Sequence, residues 1–270
     1  MDCEELVRAA LREDAPWGDP FGETFRAGRA GTFLAGAEGV FCGGPVAEEV
    51  FRQVDPSVEV SFVPEGRRVA RGERVGQASG PASALLRGER VALNFLQRLS
   101  GVATATARYA ERIAGYGTRL LDTRKTTPLM RILEKYAVRV GGGANHRFSL
   151  SDGILIKENG IRAAGGIAEA VAAARRATHH LLRVEVEVET LQEAEIAARA
   201  GADAILLDNM TPAMVREAVT RFGREIFLEA SGGIRLGNIE EYARTGVAAI
   251  AVGAITHSAP ALDISFEISP

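Results

Sequence analysis

After Leu120, apolar runs typical of strands alternate regularly with alanine-rich helical stretches, and this alternation constrains the fold more than any other feature. The runs are Arg119–Asp122, Gly153–Lys157, Arg183–Val188, Ala204–Asp208, Ile226–Glu229 and Ala249–Gly253. The later runs recur about every 21 to 24 residues. Such alternation predicts parallel strands joined by helical crossovers. Because the runs are almost continuously apolar, they favour a β/α barrel over an open antiparallel sheet.

The first part of the chain follows a different pattern. From about Glu23 to Gly80, short alternating runs are punctuated by glycine, which predicts a strand-rich and turn-rich module. From Glu89 onward, apolar residues recur at helical spacing. A polar stripe lies off the apolar face of this predicted helix, at Arg90, Asn94, Gln97 and Gly101. A solvated face is the ordinary interpretation of such a stripe, and a second functional surface is the alternative.

Composition excludes several classes of protein. The net charge of −3 argues against general binding of nucleic acid, which needs a broad basic surface. Two cysteines, Cys3 and Cys42, provide neither a disulfide framework nor the spacing of metal ligands. No apolar run reaches the roughly 18 residues of a membrane span, and the first residues lack the apolar core of a signal peptide. We therefore expect a cytoplasmic protein that binds neither nucleic acid nor membrane.

Positive charge is concentrated between Arg119 and Arg147, where seven Lys or Arg residues accompany two acids. The pattern predicts a strand, a short loop carrying Thr123, Arg124 and Lys125, and then a helix. Thr127 is predicted to be its N-cap, with proline at the first helical position. The residues YAVRV (136–140) are predicted to be strand-like, and a triple glycine then leads to His146 and Arg147. Local positive charge in an acidic protein suits a small anionic ligand.

Charged residues and glycine loops follow nearly every predicted strand of the barrel, where barrel enzymes have their active sites. The cations come first along the chain, the acids Glu187 and Asp208 follow, and glycine loops end the series. Arginine binds planar carboxylates through paired hydrogen bonds. Two acids facing cations suit a hydrated Mg²⁺ or the hydroxyls of a sugar. Glycine loops after the last strands match the phosphate site common in such barrels.

Each of these residues alone is more often solvated surface, and Lys157 at a strand end could be an ordinary exposed lysine. Together they would repel one another unless they enclosed a ligand, so the arrangement favours a ligand site. The chain has no Walker A motif and no Cys/His cluster for zinc. ILLDNMTP lacks the paired acids of the commoner phosphoribosyltransferase loop.

Several blocks resemble the quinolinate phosphoribosyltransferase family in order and spacing, over nearly the whole chain. They are ERVALNFLQRLSGVATATARY, LDTRKTTP, LEKYAVRVGGGANHRFSLSDGILIKENGI, VEVEVET, GADAILLDNM, LEASGGI and VGAITHS. The resemblance implies an α/β fold. An N-terminal α+β open-faced sandwich, residues 1–103 rejoined by 256–270, would precede an incomplete β/α barrel of residues 104–255. It also implies homodimers or larger assemblies that share active sites between subunits.

The reaction implied by the resemblance belongs to de novo NAD biosynthesis. Quinolinate and phosphoribosyl pyrophosphate would give nicotinate mononucleotide, pyrophosphate and CO₂, with Mg²⁺ as cofactor. The residues resembling the quinolinate-binding set are Arg90 (from the partner subunit), Thr123, Arg124, Lys125, His146, Arg147 and Lys157. Those resembling the phosphoribosyl pyrophosphate set are Lys157, Glu187, Asp208, Ser231, Gly232, Gly233, Val252, Gly253 and Ala254. Lys125, Lys157, Glu187 and Asp208 would be catalytic, and the last two would hold Mg²⁺ directly or through water.

The chain departs from the family pattern at four places. Ala144 and Gly160 stand where histidine is common, Leu129 replaces a glycine, and DPFGET replaces DLTT after Gly18. These departures leave open a divergent relative that acts on, or only binds, another anionic substrate. An aldolase-type barrel using Lys157 as a Schiff-base lysine is a further alternative.

Overall fold

The computed structural model describes residues 2–269. Its elements in chain order are α1 (Cys3–Asp14), β1 (Gly28–Ala35), β2 (Gly39–Val40), α2 (Gly44–Val54), β3 (Glu59–Phe62), β4 (Arg68–Val69), β5 (Arg74–Pro81), α3 (Ala82–Arg112), β6 (Arg119–Leu121), α4 (Arg131–Val140), β7 (Ile154–Ile156), α5 (Glu158–Ala164), α6 (Ile167–Ala177), β8 (Val184–Val188), α7 (Leu191–Arg199), β9 (Ala204–Asp208), α8 (Pro212–Phe222), β10 (Phe227–Ser231), α9 (Ile239–Ala243), β11 (Ala249–Ala251), α10 (Ala254–His257) and β12 (Ile264–Ile268).

The described residues form two compact units. The first contains 2–107, 126–142 and 255–269, and the second contains 108–125 and 143–254. Compactness does not test where independent domains begin and end, so the division at 103/104 and 255/256 stays a prediction. The segment 126–142, which the sequence analysis assigned to the barrel, lies in the first unit.

The first unit is built on a four-stranded antiparallel sheet in the order β12-β1-β5-β3. The short strands β2 and β4 form a separate two-stranded sheet. Phe33 of β1 is fully buried and contacts Phe51, Phe62 and Phe266 through tilted or edge-on rings. Helix α2 buries Val46, Ala47, Val50 and Phe51, which recur at helical spacing. Alternating apolar strands and the amphipathic helix α2 thus pack together in the α+β unit expected from the sequence.

The polar stripe of α3 divides into two parts. Gln97 donates a 2.8 Å hydrogen bond to the Ile264 carbonyl, and a Cβ on Gly101 would lie 2.1 Å from the Pro260 oxygen. These two positions serve packing inside the first unit. Arg90 and Asn94 are exposed.

Two local predictions in the segment 126–142 are wrong. YAVRV is not strand-like but continues α4, because Leu133, Ala137 and Val138 bury one face of the helix. Thr127 is not the N-cap, since α4 begins only at Arg131. The Thr127 hydroxyl instead donates to Glu134 at 2.7 Å, and the Thr127 amide donates to the same carboxylate at 3.0 Å.

The second unit is an incomplete barrel of six parallel strands in the order β6-β11-β10-β9-β8-β7. Ala144 extends the β6 edge through an isolated parallel bridge to Leu121. Residues that pair in register on neighbouring strands have their side chains on the same side of the sheet. Those of one such row are Glu187, Leu206, Glu229 and Ala249. The predicted β/α barrel is confirmed. The carboxyl ends of its strands meet at one edge, where the site residues of this unit lie.

Candidate functional site

Asp122, directly after β6, connects two loops of the site. It is fully buried, and its carboxylate accepts hydrogen bonds from the His146 amide at 2.8 Å and the Asn145 side chain at 2.6 Å. Its own amide donates to the Ala144 carbonyl at 3.1 Å. A carboxylate that accepts several hydrogen bonds fixes their donors in position. Asp122 therefore places the His146 loop beside the loop carrying Thr123 and Arg124.

Both ring nitrogens of His146 have partners within the second unit. Nδ1 accepts the backbone N–H of Arg147 at 2.8 Å, and Nε2 lies 3.0 Å from Glu185 Oε2. Because Nδ1 accepts, the ring carries its proton on Nε2, directed at the Glu185 carboxylate. Glu229 Oε2 lies 3.6 Å from the same Nε2. The sequence prediction that His146 contacts the substrate stays a prediction, while its contacts position Arg147.

Arg147 and Arg124 form the cationic part of the site. Arg147 Nη1 donates to the Gly153 carbonyl at 2.7 Å, which fixes the direction of the side chain. Burial, and then the neighbouring Arg124, lower the pKa of Arg147. Glu185 opposes this shift, and like charges that lower the pKa of Arg147 in this way favour a bound anion. This pair is the strongest sign of a carboxylate-binding pocket in the second unit.

Lys157 and Glu187 lie at the ends of β7 and β8 and form an ion pair. Lys157 is exposed, and Asp208 at the end of β9 is partly buried. Asn209 donates from Nδ2 to Asp208 Oδ2 at 2.7 Å. Lys125 is exposed, and its amide donates to the Thr123 hydroxyl at 3.0 Å. The Lys157 ammonium balances the negative charge of Glu187 in this ion pair.

The loops after β9 and β10 fit closely together. Asn209 has φ 54°, and its amide donates to the Ser231 carbonyl at 2.9 Å. Gly232 has φ 85°, and a Cβ there would lie 2.4 Å from Asn209 Oδ1 and 2.6 Å from Asn209 N. Gly233 has φ 62° and open space where a Cβ would lie. Glycine at 232 is thus required by packing, whereas the backbone at 233 faces room for a ligand.

After β11, Val252 is buried and its amide donates to the Leu121 carbonyl at 2.9 Å, which connects the last barrel strand to the first. Gly253 follows, and Ala254 begins α10. The loop 252–254 therefore lies where β6 and β11 end side by side. This is the edge of the sheet that the sequence predicts for a phosphate loop.

Two sets of residues offer ligands for a metal ion. His146, Glu185 and Glu229 have candidate ligand atoms within 4.8 Å of one another, but the first two are already joined by a hydrogen bond. Glu187 and Asp208 provide carboxylates near the ends of neighbouring strands, with backbone positions offset by about 7 Å along the strand direction because Glu187 pairs with Leu206. Oxygen ligands with room for water fit Mg²⁺, which retains several water molecules when bound. Glu187 and Asp208 therefore fit the predicted role better.

Several residues of this site were not predicted. Asp122, Asn145, Glu185, Glu229 and Asn209 make the contacts that orient the predicted residues. One signal was available, because an acid inside an apolar strand, as in FLEA, faces either solvent or a functional interior. Arg90, in contrast, was predicted and lies exposed in the first unit, so its role stays a prediction.

The departures Ala144 and Gly160 have different surroundings. Ala144 is partly buried and packs against a buried cluster of Leu121, Ala249 and Ala251. Gly160 is exposed on α5, and a Cβ there would make only an ordinary 3.7 Å contact with Ile156. The Ala144 side chain is a methyl group and Gly160 has none, so neither residue contributes a side chain to the hydrogen bonds around Asp122 and His146.

An incomplete parallel barrel with cations, acids and glycine loops at the carboxyl ends of its strands is the arrangement of a β/α-barrel enzyme acting on an anionic substrate. Comparison with known sequences specifies the family. Residues 25–100 match the N-terminal domain and residues 102–267 the C-terminal domain of quinolinate phosphoribosyl transferase. The chain belongs to the quinolinate phosphoribosyltransferase family.

Relatives of known name are similar along most of their length. The probable nicotinate-nucleotide pyrophosphorylase (carboxylating) of Bacillus subtilis is 41% identical over 272 residues, covering 100% of this chain and 94% of the relative. The human enzyme of that name is 42% identical, covering 97% and 90%. The solved nicotinate-nucleotide pyrophosphorylase of Francisella tularensis has a TM-score of 0.95 at 40% identity, covering 99% and 96%. No helix of residues 2–269 has the length and apolarity needed to span a bilayer.

Proposed function

We propose that this chain is a decarboxylating phosphoribosyltransferase that converts quinolinate and phosphoribosyl pyrophosphate to nicotinate mononucleotide, pyrophosphate and CO₂. The observation that carries this proposal is the pair of guanidinium groups at Arg124 and Arg147 within the barrel of a family member. Quinolinate has two adjacent carboxylates on a planar ring. Paired arginines match that shape and charge better than lysines would.

Quinolinate binding would use the cations at the ends of the first strands. Arg124 and Arg147 bind the carboxylates, Thr123 and Lys125 line the loop after β6, and Lys157 lies at the end of β7. His146 holds the Arg147 backbone through Nδ1. We propose that Arg90 enters this site from the partner subunit of a homodimer, which its exposed position on α3 supports.

Phosphoribosyl pyrophosphate would bind along the later strands. Glu187 and Asp208 would face the ribose hydroxyls, and they would hold Mg²⁺ directly or through water, where the ion would supply positive charge beside the pyrophosphate. The phosphate lies against the backbone of 231–233 and 252–254, where Gly233 leaves space for a close approach. Acids beside the ribose stabilise the positive charge that develops as pyrophosphate departs.

Decarboxylation needs no nucleophilic side chain. Once the ring nitrogen has bonded to the ribose, its positive charge stabilises the electron pair that departing CO₂ leaves on the adjacent ring carbon, and that pair then binds a proton from solvent. The protein contributes position and electrostatic stabilisation. Both substrates carry several charges and dissolve in water, which supports a cytoplasmic setting.

The test is product formation by the purified protein with quinolinate, phosphoribosyl pyrophosphate and Mg²⁺, measured as nicotinate mononucleotide and released CO₂. Arg124→Lys should raise the KM for quinolinate about 10- to 100-fold, because a lysine loses the paired hydrogen bonds. The KM for phosphoribosyl pyrophosphate should change much less.

The matched control is Arg139→Lys, an exposed arginine of α4 from the same basic window. It should leave both KM values near those of the wild type. If the folded wild-type protein forms no product with any ratio of these substrates, the proposed function is wrong.

A further inference from the structure

Glu229 is a buried acid that the proposed reaction does not use. It lies in the middle of β10, is 1% exposed, and pairs in register with Leu206 on one side and Ala249 on the other. Its Oε1 atom is buried and has no hydrogen-bond partner among the described residues. Its Oε2 atom lies 3.6 Å from His146 Nε2. An ionised carboxylate in such surroundings would need donors that this position does not supply.

Charged groups reach Glu229 from several neighbouring elements. They are Glu185 on β8, Asp122 after β6, Arg119 on β6, Lys157 after β7 and His146 in the loop before β7. Burial raises the pKa of Glu229 well above its ordinary value, and the carboxylates of Glu185 and Asp122 raise it further. Arg119 and Lys157 oppose this shift but contribute less. Burial and like charge therefore both favour the uncharged form of Glu229.

An uncharged Glu229 complements the tautomer of His146. The imidazole presents Nε2–H to Glu185, because Nδ1 is occupied by the Arg147 amide. The atoms of His146, Glu185 and Glu229 that face one another lie within 4.8 Å. A carboxylic acid at this position adds no charge beside Glu185, whereas a second carboxylate would repel that of Glu185.

We propose that Glu229 is a positioning residue for quinolinate binding, which holds the His146–Glu185 pair and, through His146 Nδ1, the backbone of Arg147. This inference rests on the proposed function. It also assigns a charge role to Glu229, since a neutral side chain adds no negative charge beneath a site that must accept a dianion. The arginines above it then remain available to the substrate.

The experiment compares Glu229→Gln, Glu229→Met and the wild type. Glutamine has the same shape and is neutral at every pH, whereas methionine removes the polar atoms that face His146 and Glu185 but keeps the volume. KM for quinolinate and kcat are measured between about pH 6 and pH 9, above the ordinary range of a carboxyl group, because burial raises the pKa of Glu229. The ring ¹⁵N shifts of His146, assigned by comparison with His146→Asn, report its tautomer without any substrate.

Glu229→Met should raise the KM for quinolinate by about tenfold or more and change the His146 tautomer. Glu229→Gln should stay within about threefold of wild type at neutral pH and hold its quinolinate affinity at higher pH, where the wild type loses affinity as Glu229 ionises. The control Glu241→Gln, at an exposed position of α9, should show the wild-type pH profile.

Two results would overturn the proposal. One is a tenfold or greater loss in folded Glu229→Gln at neutral pH, which would mean that a negative charge is needed. The other is a Glu229→Met variant with wild-type KM and His146 tautomer. If Glu229→Met does not fold, the pH profile of Glu229→Gln decides alone. If the wild type forms no product, the proposed function fails separately, and the ¹⁵N shifts still test the contact between Glu229 and His146.

Discussion

Ala144 and Gly160 show that a departure from a family pattern is informative only once its surroundings are known. Both positions lie in loops or short elements close to predicted ligand residues, and from the sequence they raise the same doubt about substrate. The structure separates them, because Ala144 packs inside the barrel while Gly160 is exposed.

Restoring histidine at these two positions should have different effects on stability. Ala144→His should lower the free energy of unfolding by about 1–3 kcal/mol, because the imidazole must fit against Leu121, Ala249 and Ala251. Gly160→His should change it by less than about 0.5 kcal/mol, as an exposed substitution. Urea denaturation followed by circular dichroism measures both. Equal effects would contradict the packing described for Ala144.

Leu129 is a strained residue on the surface. It has φ 66°, so its backbone lies in the left-handed region. Its side chain is 68% exposed and therefore contributes little to stability through burial. Leu129→Gly should stabilise the protein by about 0.5–1 kcal/mol, since relief of strain exceeds the added chain entropy. Leu150→Gly, at an equally exposed leucine without positive φ, should give no gain in the same thermal unfolding measurement. A gain in both would mean that the loss of an exposed leucine, and not backbone strain, is responsible.

Sequence reasoning located the residues at strand ends but not those beneath them. Arg124, Arg147, Glu187 and Asp208 could be predicted because a period of strand and helix fixes which loops meet. Glu229 could not, since its importance comes from its proximity to Glu185 on β8 and to His146 in the loop before β7. Proximity across a sheet depends on register, which hydrophobic pattern alone does not determine here.

At the scale of elements, the strands of the barrel were easier to predict than the helices before it. YAVRV alternates like a strand over five residues, yet the helical spacing of Leu133, Ala137 and Val138 over a longer stretch prevails. Helix α2 was missed because glycines and short apolar runs surround it. In both cases a short window favoured a period of two over the longer helical period.

The paired loops after β9 and β10 also allow a prediction. Gly232→Ala should distort the contact with Asn209, because the new methyl group would lie within 2.6 Å of the Asn209 backbone nitrogen and the residue has φ 85°. We expect a loss of about 1–3 kcal/mol in stability and an increased KM for phosphoribosyl pyrophosphate. The quinolinate KM should change less, since Arg124 and Arg147 lie on other loops.

Gly237→Ala is the matched control for that experiment. Gly237 has no positive φ, and a Cβ there meets nothing within 4 Å. Wild-type kinetics and stability are expected. If Gly232→Ala behaves like Gly237→Ala, the loop tolerates a methyl group at position 232, and the packing described against Asn209 is wrong.

At the scale of the whole molecule, the proposed homodimer predicts that two inactive variants rescue each other. Arg90→Ala removes the residue proposed to enter the partner's site, and Lys157→Ala removes a residue of the chain's own barrel. Mixed in equal amounts and allowed to exchange subunits, the two variants should form mixed dimers as about half of all dimers. Each mixed dimer has one intact site out of two, so up to about a quarter of wild-type activity should return. Product formation before and after mixing measures the recovery.

Two controls make that result decisive. Lys157→Ala mixed with Glu187→Ala should not recover, since both changes remove residues of the same barrel. Exchange of subunits is followed independently with differently tagged chains. Complete exchange without recovery would rule out a site shared in this way.

The pairing of β1 with β12 and of β6 with β11 has a consequence for how the chain is made. In each sheet a strand formed early in synthesis must wait for one more than 120 residues later, because Gly31 pairs with Ile268 and Leu120 with Ile250. At about 5–20 residues per second, the longer delay is on the order of tens of seconds. Until then β1 and β6 each present an unpaired edge on the ribosome. Until its final strands are made, a new chain therefore relies on chaperones to cover these edges and prevent aggregation.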